Sequence, residues 1–414
     1  MELTVIDKAR IITTRQSKIG QVVIGLSFLL LFVSLIFGYQ IKFLSYVDEI
    51  LCLIYGVALV IGVIKKRFSL IKEDKTVVFL LALTIFLGLI SNLINALAHS
   101  LFWILLDLLG FVKVFVAYLF FKYFFSKSTL LFFINKWSGV AKILISISFI
   151  CAIISLFYDI GMRGQYRYGL YGFNFVFSYA HEFEVFLICC ISVILISNTR
   201  NKLLYLFFMV LLLALSLKGP SFVLAVTLPF LFFYFKKFKH IHLIYFVVPL
   251  VIILLLSSYQ IQTYFLDTDS ARSTLIRFGF ITGINYFPLG SGFSTYGTYT
   301  AFSDYSTLYY QYGFDQLNGL NPYDGSFLND NYFPMIVAQF GLFGLLNMLF
   351  LFFTFFQQSY KNHTSAGKAV LLSILLFALV HSLGSALLTS SAGFLLFSVL
   401  GVIDKATIER KNSL

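Results

Sequence analysis

The sequence predicts an all-α polytopic membrane protein with about twelve transmembrane helices and one large extracytoplasmic loop. Three observations predict it: a shortage of charge, apolar runs of bilayer length, and an uneven distribution of Lys and Arg. Of 414 residues, 59% are hydrophobic and 12% are charged, and the mean hydropathy is +0.91. A soluble domain carries about 25% charged residues, so this chain has roughly half the charge needed to cover a water-exposed surface. That excludes a cytosolic enzyme, a DNA-binding protein and a disordered scaffold.

A bilayer core about 30 Å thick takes roughly 20 helical residues. Runs of that kind lie at 19–40, 44–64, 76–97, 101–125, 137–158, 174–197, 203–217, 220–235, 241–259, 334–356, 369–388 and 390–403. The first follows Lys8, Arg10, Arg15 and Lys18, as a signal sequence would. It is long enough to span, lacks a small-residue cleavage site and precedes many more spans, so it reads as a retained helix. The seventh and eighth are short and meet at Lys218-Gly219-Pro220-Ser221, a break of tight-hairpin type. Cys52, Cys151, Cys189 and Cys190 fall in apolar runs without metal spacing and are poor disulfide candidates. There is no internal repeat and no low-complexity segment.

Orientation follows from the basic residues. With the N-terminus in the cytoplasm, 22 of the 30 Lys and Arg fall in inner segments, six in outer segments and two, Lys113 and Lys142, inside spans. The net charge of +12 thus has a topological cause and needs no nucleic acid. The chain divides into helices 1–9 (residues 1–259), an outer loop (260–333), and helices 10–12 with a tail (334–414). Both termini are expected in the cytoplasm.

The loop of 74 residues breaks the pattern of short connectors, and loops this long are uncommon without a function. It holds six acidic and two basic residues and many tyrosines. Asp269 to Phe278 reads as a capped helix that could lie at the interface, and Pro288-Leu289-Gly290-Ser291-Gly292 as turn chemistry. Tyr296, Tyr299, Tyr305, Tyr309, Tyr310 and Tyr312 are candidates for stacking on sugar rings, or equally for an interfacial belt.

Five of the six outer basic residues lie near the spans against the usual bias: Arg163, Arg167, Lys218, Arg272 and Arg277. They either pair with loop carboxylates and headgroups, contacts that contribute little, or form an anion site, for which the Arg fork matches phosphate. The simplest such anion at an outer leaflet is a lipid pyrophosphate. His181, Glu182 and Glu184 sit about two turns in from the outer end of the sixth span; His181 and Glu184 share a helix face. Such groups are either a buried pair or part of a site, and the same alternatives hold for Asp107, Lys113 and His381. Lys142 is expected to snorkel to the cytoplasmic face. Asp267-Thr268-Asp269 matches a metal-binding Asp-x-Asp of nucleotide-sugar transferases, but capping explains it better. Asp330, just before the tenth span, is a candidate general base.

In topology the chain resembles the Wzy-type O-antigen and capsule repeat-unit polymerases, which share a superfamily with the O-antigen ligases. Three patches carry the local resemblance. Arg167-Tyr168-Gly169-Leu170-Tyr171-Gly172-Phe173-Asn174 is similar to an outer Arg-x-x-Gly patch. Leu215-Ser216-Leu217-Lys218-Gly219-Pro220-Ser221 is similar to a Ser-x-Arg-Gly patch, with Lys in place of Arg. The third runs from Arg272 through Pro288–Gly292 and Asp330-Asn331-Tyr332-Phe333 to Gly341-Leu342-Phe343-Gly344. Ligases carry His where this chain has Asp330, which favours a polymerase.

The resemblance implies a GT-C-type glycosyltransferase of the bacterial cytoplasmic membrane that joins undecaprenyl-pyrophosphate-linked repeat units without metal or cofactor. A chain-length regulator protein is a further partner it admits. In that reaction Arg272, Arg163, Arg167, Lys218 and Arg277 face the pyrophosphate. Asp330 takes the acceptor proton, with His181 or Glu182 as substitutes. A ligase-type transferase is the alternative. A lipid-linked oligosaccharide flippase is disfavoured by the long loop, since transporters place ionisable groups along a central cavity.

Overall fold

The structure, a computed structural model, describes residues 5–238, 240–263, 267, 270–361 and 363–409. Lys239, Arg410, Lys411, Thr268 and Asp269 therefore lie outside the described residues, as do the side chains of Lys8, Arg10 and Arg15. Among the described residues the regular structure is all-helical apart from one hairpin and an isolated bridge between His363 and Ile408. Its helices are α1 (Val5–Phe37), α2 (Val47–Ile64), α3 (Lys72–Asn95), α4 (Leu101–Phe124), α5 (Lys127–Phe157) and α6 (Ala180–Ile196). They continue with α7 (Lys202–Leu215), α8 (Gly219–Lys237), α9 (Val247–Ile261), α10 (Ala271–Asn285), and the short α11 (Tyr299–Ser303) and α12 (Thr307–Gln311). α13 (Tyr332–Tyr360), α14 (Ser365–His381) and α15 (Ser391–Thr407) complete the bundle. Among the described residues seven helices are long and apolar enough to cross a membrane: α3, α4, α5, α8, α13, the segment Lys18–Phe37 of α1 and the segment Leu44–Ile64 ending in α2.

Several boundaries differ from the sequence reading. α5 begins at Lys127, ten residues before the apolar run, because Ser126 caps it by accepting from the Thr129 N–H. The sixth apolar run does not begin as helix. Residues Arg163–Arg167 (β1) and Leu170–Phe173 (β2) form an antiparallel hairpin, and α6 starts only at Ala180. Glu182 there reaches back to the Tyr179 N–H at 3.2 Å, closing a capping box. His181 thus stands in the first turn of α6, not two turns inside it. The predicted break at Lys218 holds: Ser216–Lys218 link α7 to α8, with Pro220 in the first turn.

The long loop is also more ordered than a connector. Its capped helix forms as α10, with Ser270 accepting from the Ser273 N–H, and it packs along α13: Gly279 lies against Pro334 and Gly283 against Val337. After α10 the chain dips between α3, α4 and α13. Asn92 clamps Phe293, donating to its carbonyl at 2.9 Å and accepting from its N–H at 2.8 Å. Asp107 accepts from the Ser294 N–H at 2.6 Å and from Gln339 at 3.0 Å. Irregular backbone buried among apolar helices persists only when its polar groups are satisfied by protein.

α13 supplies part of that satisfaction by breaking. Gly341 adopts φ 65° and ψ −165° inside the helix. The carbonyls of Ala338 and Gln339 lose their helical partners there, and accept instead from the N–H groups of Ser291 and Gly292 at 2.8 and 2.9 Å. The Pro288–Gly292 and Gly341–Gly344 patches, 49 residues apart at their nearest, are therefore one structural unit. A Cβ on Gly341 would sit 2.2 Å from the Pro288 carbonyl oxygen, in a φ/ψ region that only glycine occupies without strain of about 1–3 kcal/mol. Gly341→Ala is expected to lower the melting temperature of the detergent-purified protein by several degrees. An unchanged melting curve would contradict this account of the break.

The rest of the loop folds over α10 with its own small core: Tyr296, Tyr305, Tyr309 and Phe314 pack with Leu275 and Leu320. Those three tyrosines are buried and cannot stack on a glycan, whereas Tyr299 and Tyr310 are exposed. At the centre of the bundle, α15 is buried on nearly all sides between α4 and α6.

Candidate functional site

One cavity of about 830 Å³ gathers most of the singled-out residues: Arg167, Lys218, Arg272, Asp330, His181 and Glu182 all line it. The topology explains the gathering. α6, α8, α10 and α13 begin at this end of the bundle and α14 finishes there, so residues far apart in sequence meet at helix ends. Four helix N-termini at one mouth also add positive potential, which favours an anion.

Arg272 stands in the first turn of α10, its Nη2 3.1 Å from Oδ2 of Asp330, and both side chains are 24% exposed. Asn331 ties the same turn to α13, donating to the Arg272 carbonyl at 3.0 Å. Burial raises the Asp330 carboxyl above its ordinary value, against the pull of Arg272 and Lys218. Burial likewise lowers Lys218; nearby Glu184 opposes that shift, while Arg167 and Arg272 reinforce it. Arg167 is held by the Gln165 amide oxygen at 2.6 Å and by the Leu217 carbonyl at 3.5 Å, which docks the β-hairpin against the α7–α8 turn. The cations are thus gathered within mutual electrostatic reach on three separate elements.

Two predicted pyrophosphate ligands lie elsewhere. Arg163 donates twice to the Ser155 carbonyl, at 2.9 and 2.8 Å, and stacks over Tyr171 at 5.2 Å. It caps the last turn of α5. Arg277 is exposed on α10 beside the Phe278 ring and does not line the cavity. Helical spacing accounts for the latter: five residues separate it from Arg272, which turns the two side chains onto different faces.

Other charges inside the apolar runs turn out to be structural. Asp107 holds the dipping segment, and Lys113 bonds Asp48 and Glu49 with Ser391 donating to Asp48 at 2.9 Å. Lys142 reaches the Arg200 carbonyl at 3.0 Å. His381, in contrast, belongs to the cavity; its ring centroid lies 5.6 Å from that of His181. Sequence reasoning did not single out Ser385, Ser326 or Asn329, which also line the cavity; small polar residues in a loop carry no signal of their own.

Below the polar mouth the cavity continues as an apolar slot between α8 and α9. Val223, Phe230, Leu231, Leu250, Ile253 and Leu254 line it. From Lys218 to Leu231 it follows α8 for 13 residues, about 20 Å at 1.5 Å per residue. The arrangement suits an amphiphile whose anionic head meets the cations while its tail occupies the slot. Compared with protein-family models and with curated proteins, the sequence matches none.

Proposed function

We propose that the chain is a polymerase that joins undecaprenyl-pyrophosphate-linked oligosaccharide repeat units into O-antigen, capsule or exopolysaccharide. The reaction is glycosyl transfer on the outer side of the bacterial cytoplasmic membrane. A single observation carries the reading: Arg167, Lys218 and Arg272 head a cavity whose remainder is an apolar slot about 20 Å long. A pyrophosphate on an isoprenoid tail matches both parts, and the volume falls in the range of about 300–1,000 Å³ typical of ligand sites.

In this reading the chain crosses the membrane twelve times, with helices α1 to α9 before the loop and α13 to α15 after it. Both termini and most Lys and Arg lie inside, and the cavity mouth lies outside, where lipid-linked glycans are displayed. The acceptor hydroxyl attacks the anomeric carbon of the donor sugar. The bond to pyrophosphate breaks, and negative charge grows on the leaving oxygen. Cations already fixed around that oxygen lower the barrier because they need no reorganisation. Asp330 keeps the Arg272 guanidinium aimed at the mouth.

The test is the surface glycan of a deletion strain. The expected result is one repeat unit still displayed and all longer chains lost. Long chains stranded on the lipid carrier would show a ligase instead, and single lipid-linked units trapped inside would show a flippase. A tryptophan at Val223, in the slot, is expected to reduce chain growth at least tenfold by occluding the tail. A normal ladder from that variant would remove the slot from the account.

A further inference from the structure

The cavity wall holds two side chains that the cation cluster does not use, and a buried carboxylate, Glu184, stands behind them. His381 ends α14, and Ser385 follows one turn later; both line the cavity. The Ser385 hydroxyl and His381 Nδ1 are hydrogen-bonded. On the other side of the ring, Nε2 lies 3.5 Å from Oε2 of Glu184. Glu184 has 0% exposure, and its other oxygen accepts from Ser221, which in turn accepts from Ser216. The two serines account for one carboxylate oxygen. The other makes no hydrogen bond within the usual limit, and the imidazole faces it.

A hydroxyl at the cavity, an imidazole behind it and a buried carboxylate behind that is an order suited to drawing a proton inward. The carboxylate favours the tautomer with hydrogen on Nε2, leaving the Nδ1 lone pair toward Ser385, and it stabilises the imidazolium that forms. Asp330 is less suited to that task, because protonating it would release Arg272 at the moment the leaving group needs that charge.

We propose that Ser385, His381 and Glu184 form the proton relay of the glycosyl transfer, a role that rests on the function proposed above. The acceptor hydroxyl, seated against Ser385 Oγ, forms the new C–O bond at the anomeric carbon. The old bond to the pyrophosphate oxygen breaks, and its electron pair stays on that oxygen. The acceptor proton passes to Ser385 Oγ as the serine proton passes to His381 Nδ1, and Glu184 balances the imidazolium. The proton returns to water when the products leave. Ser385 and His381 are catalytic residues in this scheme, and Glu184 is a positioning residue.

The experiment uses the full chain in lipid nanodiscs, with lipid-linked repeat units extracted from a deletion strain as donor and acceptor. Glu184→Gln and His381→Gln are each expected to lower kcat by about 100-fold or more, with KM and melting temperature unchanged. Ser385→Ala is expected to lose a comparable factor, and Ser385→Thr to recover most of it. A Glu184→Gln or Ser385→Ala enzyme with wild-type kcat would overturn the relay while leaving the polymerase reading intact. So would a loss of kcat matched by a fall in melting temperature, the mark of a pair that only staples α14 to α6. A wild-type protein that builds no polymer from these lipids would overturn the function, and the relay with it.

Discussion

Arg272→Ala is expected to stop chain growth while the protein still reaches the membrane at wild-type level. Removing one preorganised donor from a water-poor site typically lowers the rate on the order of 100- to 1,000-fold. Here the change also strips Asp330 of its ion-pair partner. Arg272→Lys keeps the charge but loses the fork that spans two phosphate oxygens, so it is expected to restore only a fraction of the polymer. Asp330→Ala should give the same phenotype, because the guanidinium loses its aim. The double mutant should be no worse than either single change, the signature of residues acting as a unit. A glycan ladder on immunoblots, beside an immunoblot of the protein in membranes, reads all four variants. Normal chain length in Arg272→Ala would remove this residue from the mechanism.

The same pair sets a pH response. Burial holds Asp330 above the ordinary value of an aspartate, so the neutral form wins earlier as pH falls. The contact with Arg272 requires the charged form, so it is present at high pH and is lost on acidification. The loss comes at a pH where an ordinary exposed aspartate would remain ionised. Polymer synthesis in nanodiscs is expected to decline on acidification through that window. In Asp330→Asn, whose residual activity no longer depends on this ionisation, the contribution to the acid limb should vanish.

The second large effect lies at the opposite end of the bundle and concerns stability. Lys122 Nζ sits 2.8 Å from Asp74 on α3, 2.8 Å from Asp404 on α15 and 2.7 Å from the Tyr118 hydroxyl. His363 reaches the other Asp404 oxygen at 3.2 Å, and Gln358 donates to Asp74 at 3.2 Å. These charged side chains are at most 5% exposed. Lys122→Ala leaves two buried carboxylates facing each other without their cation, a change that typically costs about 3–5 kcal/mol. The melting temperature in detergent should fall sharply. Replacing Lys122 by Met together with Asp74→Asn and Asp404→Asn should recover much of the loss, since no orphan charge remains. Unchanged melting in Lys122→Ala would show that the network contributes nothing to stability.

How much of the site could be read beforehand varies residue by residue. Arg167, Lys218, Arg272 and Asp330 were legible because each departs from the charge pattern expected of membrane sequences: basic residues in segments that the Lys and Arg distribution assigns to the disfavoured side, or an acid just before an apolar run. Arg163 and Arg277 violate it equally and have other partners, since sidedness says nothing about which helix face a residue occupies. His381 and Glu184 were visible as ionisable groups inside apolar runs, but 197 positions separate them, and no spacing rule links α6 to α14. The burial of Tyr296, Tyr305 and Tyr309 of the loop was not legible, for a different reason. Their pattern fits a wet binding surface and a packed cap alike, and only burial separates the two.

Hydropathy alone was enough to indicate a membrane protein of many helices, with residues 260–333 as a long insertion between apolar runs, because the bilayer makes each helix satisfy its own backbone. Only the tertiary structure decided that the insertion re-enters between α3, α4 and α13, that Gly341 opens α13 to receive it, and that three cations share one mouth. Those features depend on contacts between segments tens to hundreds of residues apart, where the partner that satisfies a carbonyl or a charge is chosen by packing and not by local pattern.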